Sequence, residues 1–227
     1  MPAQGVDILT TRVLNRKGTN MNTASSTQSA PATRASLRWR VVDIVTASVI
    51  AVAGGVVFWA YGLAWGAIGS PIGALLPGLS AAPAALWLFA GVLGGLVIRK
   101  PGAALYTEVV AAMVSAILGS QWGLLTIESG IVQGLGAEIV FALFLYRRWN
   151  LQVAMLAGAG AGVAMAINDL ILSYPGSAPA FAIIYVISAV IGGALLAGAL
   201  PWWIQRSLAR AGALSRFRSG QGVAVVD

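Results

Sequence analysis

Six long runs of apolar residues, separated by short connections, occupy positions 41–204 of the chain. Each run comes close to the length of about 20 residues that an α-helix needs to cross a bilayer core. The third run starts at Pro101, and proline is favoured at a helix start because its missing N–H would have no partner there. We therefore predict an all-α membrane protein with six transmembrane helices. Their expected bounds are 41–65, 83–98, 101–119, 122–146, 151–173 and 179–204.

The charged residues follow the same division of the chain. Every Lys and Arg lies in a tail or at the end of an apolar run, as Arg99 and Lys100 do after the second run. Because Lys and Arg mark cytoplasmic connections, this pattern predicts that both termini are cytoplasmic. Five spans with one re-entrant segment would leave one arginine cluster outside, which fits the pattern less well. The alternate connections, which carry no charge, are 66–82, 119–122 and 174–179.

The apolar runs and the charge pattern together divide the chain into three segments. Residues 1–36 are rich in Ser, Thr and Ala, which predicts a disordered N-terminal tail. Within it, Met21 is an alternative start that mass spectrometry of the native N-terminus would test. Residues 37–210 form the predicted six-helix transmembrane domain. Residues 211–227 are expected to be a short basic cytoplasmic tail.

Composition supports the membrane assignment and excludes several functions. The chain is 58% apolar and only 9% charged, against about 25% charged in soluble domains. It has no Cys and no His, which excludes disulfides, thiolate nucleophiles and ordinary zinc or haem sites, so we expect no metal and no cofactor. Neither Lys17 nor Lys100 closes a phosphate-binding loop. The net charge of +7 is explained by topology and by the lipid bilayer, so we expect no nucleic-acid binding.

Four acidic residues lie inside the predicted spans: Glu108, Glu128, Glu138 and Asp169. A charge near the bilayer centre costs about 2.5–3.5 kcal/mol on insertion scales, and no basic residue lies in the spans to pair with them. Either these acids are protonated or hydrogen-bonded across helices, or a cation comes to them. We predict a polar pocket for a cation or for a ring that donates hydrogen bonds.

Uncharged polar and aromatic residues extend the predicted pocket. Gln133 lies between two of the acids, Asn168 precedes Asp169, and Gln121 with Trp122 forms the short connection before the fourth span. An indole beside carboxylates could stack on a flat cationic ring, although Trp is also common at membrane interfaces. We predict that these four residues contribute to substrate binding.

A stripe of small residues runs along the first span. Ala47, Ala51 and Gly55 are spaced by four, which places them on one helix face. Such stripes let helices approach closely. The stripe could serve packing within the chain, or it could offer a smooth lipid-exposed face to a partner helix. The second interpretation predicts partner contact through these three residues.

Two blocks carry a resemblance to a known family. The segments IRKPGAALYTEVVAAMVSAILGSQWG at 98–123 and GIVQGLGAEIVFALF at 130–144 resemble the YkoE family. NDL at 168–170 and GGALLAG at 192–198 fit the same family, so the resemblance covers about residues 38–210. Members of this family are substrate-capture (S) subunits of energy-coupling factor (ECF) vitamin transporters, associated with thiamine and its hydroxymethylpyrimidine precursor.

The resemblance implies a six-helix S-component fold without catalytic activity. It implies capture of the vitamin outside and docking onto a transmembrane coupling subunit carried by a pair of ATP-binding subunits. By motif position, Glu108 is the acid of the first block, Gln133 and Glu138 are the polar residues of QGLGAE, and Asp169 is the acid of NDL.

Two functions are therefore compared. The first is a substrate-binding subunit of a vitamin importer in the plasma membrane of a prokaryote, with thiamine or its pyrimidine precursor as ligand. The second is a self-sufficient secondary transporter of a small organic cation, with the buried acids as a proton or sodium relay. Against the second, the chain is short and no inverted repeat is visible. An intramembrane enzyme is disfavoured because the chain has no His, Cys or nucleophile motif.

Overall fold

The computed structural model describes residues 37–221, and in this range the chain forms six helices and no strand. Capping is visible in the sequence at the helix Leu151–Leu172, where the Asn150 side chain accepts a hydrogen bond from the Val153 N–H at 2.9 Å. The predictions for residues 1–36, including Met21, and for residues 222–227 lie outside the described range. The helices are α1 Val41–Leu75, α2 Ala81–Ile98, α3 Ala103–Ile117, α4 Leu125–Leu143, α5 Leu151–Leu172 and α6 Pro179–Arg210.

The six predicted helices are confirmed in order, but their lengths differ. Five of those described are long and apolar enough to cross a membrane, whereas α3 has 15 residues and spans about 22 Å. The predicted end of the first span at residue 65 is wrong, because α1 continues through Pro71 to Leu75. With 35 residues, or about 52 Å, α1 is longer than the bilayer core of about 30 Å.

Two ends of the bundle are distinguished by charge. The charged end comprises the start of α1, the α2–α3 and α4–α5 connections and the end of α6. The uncharged end comprises the α1–α2, α3–α4 and α5–α6 connections. At the charged end, Lys100 forms an ion pair with Asp43, which is 0% exposed, and donates a hydrogen bond to the Arg38 carbonyl at 2.6 Å. The Trp39 indole N–H also donates to the Pro101 carbonyl at 2.9 Å, so the beginning of α1 is tied to the α2–α3 connection.

The small residues of α1 face the inside of the protein. Ala47 and Ala51 are 0% exposed, and a Cβ added to Gly55 would lie 2.5 Å from the Ala111 carbonyl oxygen of α3. The prediction that Ala47, Ala51 and Gly55 contact a partner is therefore wrong. These residues are small because α3 approaches them closely, so the stripe serves packing within the chain.

The described part of the C-terminal tail packs against the bundle. Leu214 and Phe217 are buried in the cluster that also contains residues of α1 and α2. Ser219 donates a hydrogen bond to the Val97 carbonyl at 2.9 Å, and its own carbonyl accepts one from Gln205 at 2.9 Å. Residues 211–221 thus cover part of the charged end.

Helix α2 is interrupted in the middle. Residues Ala81–Ala84 are α-helical, Ala85–Leu88 form a 3₁₀ turn, and the α-helix restarts as Phe89–Ile98. The interruption is held to α1, because the Tyr61 hydroxyl donates to the Pro83 carbonyl at 3.1 Å and the Trp87 indole donates to the Phe58 carbonyl at 3.0 Å. A helix start therefore lies within the membrane part of the fold.

Candidate functional site

A cavity of about 150 Å³ lies among the six helices and reaches the uncharged end. Its inner part is lined by Glu108 and Ser115 of α3, and its mouth by residues of the α3–α4 and α5–α6 connections, among them Trp122 and Tyr174. Trp122 and Tyr174 are both 40% exposed, so the mouth is accessible from that end. Of the described residues that line the cavity, none is Lys or Arg.

Glu108 is the most deeply buried acid of the cavity, with 1% of its surface exposed. Its Oε2 atom accepts a hydrogen bond from the Gly91 backbone N–H at 2.5 Å. Its Oε1 atom has no hydrogen-bond partner within the described range 37–221, although it is fully buried. An unpaired buried polar atom costs about 1–3 kcal/mol, so a donor that paired with this oxygen would be stabilised there.

Two further acids lie nearer the mouth and are partly satisfied. The Tyr185 hydroxyl donates to Asp169 Oδ2 at 2.6 Å, and the Asn168 amide donates to Glu128 Oε2 at 3.1 Å. Burial and the nearby Asp169 charge raise the pKa of the Tyr174 hydroxyl above its ordinary value. The mouth thus combines two carboxyl groups, and each keeps one oxygen that is not engaged by these donors.

Three indoles form an aromatic wall in the same cavity. The ring centroids of Trp65 and Trp87 are 4.8 Å apart, and those of Trp87 and Trp122 are 4.9 Å apart. All these contacts are edge-to-face, the geometry that aromatic pairs prefer. Such a wall offers ring faces and edges to a flat ligand, and cationic rings gain additional attraction from it.

The structure brings together five of the seven residues that the sequence predicts for substrate binding. Gln133 is 8% exposed and makes no hydrogen bond through its side chain to any residue of the described range. That these residues bind substrate stays a prediction. The five that line the cavity are Glu108, Trp122, Gln133, Asn168 and Asp169.

Glu138 does not line the cavity, which corrects the prediction for this residue. Its carboxylate accepts hydrogen bonds from the backbone N–H groups of Gly102 at 2.6 Å and Ala104 at 2.9 Å, and from the Tyr146 hydroxyl at 2.7 Å. The site is the start of α3, where unpaired N–H groups and the helix dipole favour a negative charge. Burial and Glu138 itself raise the pKa of Tyr146, which keeps this hydroxyl a donor.

Gln121 is also misplaced by the sequence prediction. Its amide donates to the Gly62 carbonyl of α1 at 3.1 Å, and its side chain is exposed outside the cavity lining. Because the α3–α4 connection turns at Gly119 and Gly123, both with positive φ, adjacent residues of this connection face different directions. Trp122 therefore lines the mouth while Gln121 joins the connection to α1.

Trp87 and Tyr185 are among the cavity residues that the sequence did not predict. Trp87 lies on the 3₁₀ turn of α2, and Tyr185 lies in the first half of α6. A tyrosine hydroxyl within an apolar span needs a hydrogen-bond partner, and this requirement is the signal that could have paired Tyr185 with a buried acid. The role of Trp87 depends on the helix interruption, which no sequence pattern indicates.

Replacing Glu138 with glutamine is expected to lower stability without changing ligand affinity. The amide keeps the size but removes the charge from the start of α3 and leaves only one oxygen for several donors, which we expect to cost about 2 kcal/mol. Thermal unfolding of the detergent-purified protein measures the loss. Glu128→Gln is the matched control for stability, because Glu128 is partly exposed at the mouth. A Glu138→Gln protein with unchanged stability and weakened binding would contradict this assignment.

Comparisons with known proteins agree with this architecture. A family described as "ABC-type cobalt transport system, permease component" matches residues 42–164. A relative from Bacillus subtilis (strain 168), named as an HMP/thiamine permease protein, YkoE, is 38% identical over 185 residues, which are 81% of this chain and 91% of the relative. A solved structure described as the crystal structure of an S-component of an ECF transporter has 38% sequence identity and a TM-score of 0.75, with 81% of this chain and 92% of that chain covered.

The fold, the cavity and these matches define the class. The protein is a component of a membrane transporter, not an enzyme, and it is a multi-pass protein of a prokaryotic plasma membrane. Within this class the chain belongs to the YkoE family of ECF-transporter S-components. The description of the matched family mentions cobalt. Within the part of the chain that the structure describes, no group of three or more His, Cys, Asp or Glu residues could hold a metal ion.

Proposed function

We propose that this S-component captures thiamine or its hydroxymethylpyrimidine precursor in the cavity at the uncharged end. The observation that carries the proposal is the free Oε1 atom of Glu108, a buried acceptor in a cavity that no described basic residue lines. The name of the Bacillus subtilis relative supports the same ligand class.

The chemistry of both ligands suits this cavity. Both carry an aminopyrimidine ring, whose amino group donates hydrogen bonds of the kind that Glu108 Oε1 lacks. Thiamine also carries a cationic ring, which the mouth acids Glu128 and Asp169 and the indole of Trp122 would attract. The pyrimidine precursor has no such cation, so it would depend more strongly on Glu108.

Release of the captured ligand into the cell requires partner subunits. The chain has no phosphate-binding loop, so we propose that an ECF coupling subunit and its ATP-binding subunits supply the energy. The charged end would lie in the cytoplasm together with both termini, because basic connections mark that side. The mouth of the cavity would then open to the outside.

Titration of tryptophan fluorescence tests the proposal. Purified protein alone is expected to bind thiamine or hydroxymethylpyrimidine with a dissociation constant in the nanomolar range, and the three indoles of the aromatic wall should report it. A pyrimidine analogue with a keto group in place of the amino group is the matched control ligand, expected to bind at least tenfold more weakly. Absence of any response to both vitamins would reject the proposal. Uptake of a small organic cation by this chain alone into liposomes with a pH gradient would instead favour a secondary transporter.

A further inference from the structure

The restart of α2 places a helix N-terminus inside the membrane part of the protein. In any α-helix the first N–H groups have no acceptor in the preceding turn. Here the restarted segment Phe89–Ile98 begins after the 3₁₀ turn, and the Leu88 residue before it has no side chain that could cap it. The Phe89 N–H is paired with the Leu86 carbonyl of the 3₁₀ turn, whereas the Gly91 N–H takes its acceptor from another element.

Glu108 supplies such an acceptor from α3. Its Oε2 atom accepts from the N–H of Gly91, the third residue of the restarted helix, at 2.5 Å. N-capping side chains ordinarily accept a hydrogen bond from the backbone N–H of the second or third helical residue, and the positive end of the helix dipole favours a carboxylate there. Glu108 thus acts as a cap contributed by a neighbouring helix, and one of its two oxygens is fixed by this bond.

Only glycine fits at this position without displacing Glu108. A Cβ added to Gly91 would lie 2.9 Å from Glu108 Oε2, 3.0 Å from Glu108 Cβ and 3.0 Å from the Ala104 carbonyl oxygen. Such distances are below ordinary van der Waals contact, so α3 and the carboxylate would have to shift. The short bond and the position of the free oxygen both depend on this close approach.

We propose that Gly91 is a positioning residue for ligand binding, which acts through Glu108. Its N–H holds Oε2 while Oε1 keeps no partner among the described residues, and its missing side chain lets the carboxylate approach the helix start. The inference rests on the proposed function, because it assigns Gly91 a role in binding the same ligand. If Gly91 served only helix packing, its substitution would lower stability, and any effect of the substitution on ligand affinity would be the same with and without the Glu108 carboxylate.

A double-mutant cycle tests the inference. Gly91→Ala is expected to weaken binding of hydroxymethylpyrimidine about tenfold in the otherwise unchanged protein, and less than twofold in a Glu108→Ala background. Gly54→Ala is the matched control. Gly54 lies on α1, and its added Cβ would lie 2.8 Å from the Cβ of Ala90, the α2 residue before Gly91, without contacting Glu108. An equal loss of affinity in both backgrounds, or a folded Gly91→Ala protein with full affinity, would overturn the inference.

A second measurement does not require the Gly91→Ala protein to fold. In protein labelled with ¹⁵N-glycine, the Gly91 amide proton is expected to resonate downfield and to move upfield in Glu108→Ala. An amide signal that ignores Glu108→Ala would overturn the inference even if vitamin binding is intact. Failure of the unaltered protein to bind either vitamin would reject the proposed function instead, while the amide signal would still report the bond.

Discussion

Replacing Glu108 with alanine is expected to lower the affinity for hydroxymethylpyrimidine by a factor between ten and one hundred. The substitution removes the one buried oxygen that has no partner among the described residues, on a side chain that lines the cavity. A hydrogen bond to a charged group contributes about 1.5–3 kcal/mol, and each 1.4 kcal/mol corresponds to about a factor of ten in the dissociation constant. Titration of tryptophan fluorescence, checked by calorimetry, measures the change.

Thr107→Val is the matched control for this experiment. Thr107 precedes Glu108 on α3, is buried, and donates to the Ala103 carbonyl at 2.7 Å without lining the cavity. Its replacement is expected to leave affinity unchanged. A folded Glu108→Ala protein with the affinity of the unaltered chain would remove Glu108 from the binding site.

The sequence predicts the helices well because hydrophobicity is a local property. Each of the six apolar runs contains a described helix, and charged residues such as Arg99 and Arg147 correctly separate them. The extent of α1 beyond Trp65 could not be predicted in the same way. Gly66, Gly69 and Pro71 favour a helix end, yet α1 continues to Leu75; at 35 residues, or about 52 Å, it is longer than the bilayer core of about 30 Å, so the length needed for a span does not fix where it stops.

The site is predicted in its chemistry but not in its geometry. An acid in an apolar run must be satisfied by something, and this argument correctly selects Glu108 and Asp169 as cavity residues. The same argument selects Glu138, whose carboxylate is satisfied by the start of α3 instead. Depth along a helix does not reveal which neighbour a carboxylate meets, because that depends on packing between helices.

The small-residue stripe of α1 illustrates the same limit. Spacing by four places Ala47, Ala51 and Gly55 on one face, yet a face that meets α3 and a face that meets a partner have the same sequence pattern. Only the arrangement of α3 against α1 distinguishes them. The interruption of α2 that frees the Gly91 N–H is likewise a product of tertiary packing, held by the Trp87 and Tyr61 bonds to neighbouring backbone.

Glu108 and Glu138 then differ for a single physical reason. Both carboxylates cap the start of a neighbouring helix segment, but Glu138 meets several donors, including Tyr146 and the Ala104 N–H, so both of its oxygens are engaged. Glu108 meets one donor, Gly91, and its second oxygen remains free beside the cavity. The number of donors at each acid is therefore the basis on which we expect Glu138 to serve stability and Glu108 to serve binding.

The ion pair at the charged end carries the second large expected effect, on stability. Lys100→Met is expected to destabilise the protein by about 3 kcal/mol, because it leaves the buried Asp43 carboxylate without its buried partner. Arg40, whose side chain is 56% exposed, contacts the same carboxylate at 3.2 Å and compensates only in part. Unfolding of the detergent-purified protein measures the loss, and Arg40→Ala is the matched control, with an expected cost below about 1 kcal/mol.

The double variant Lys100→Met with Asp43→Asn separates charge from packing. Removing both charges eliminates the uncompensated buried carboxylate, so the double variant is expected to regain most of the stability that Lys100→Met loses. Because the pair lies at the charged end and the cavity reaches the uncharged end, vitamin affinity of the folded variants should stay within about twofold of the unaltered chain. A double variant as unstable as Lys100→Met would show that the lysine hydrogen bond to the Arg38 carbonyl, rather than charge pairing, holds α1 to the α2–α3 connection.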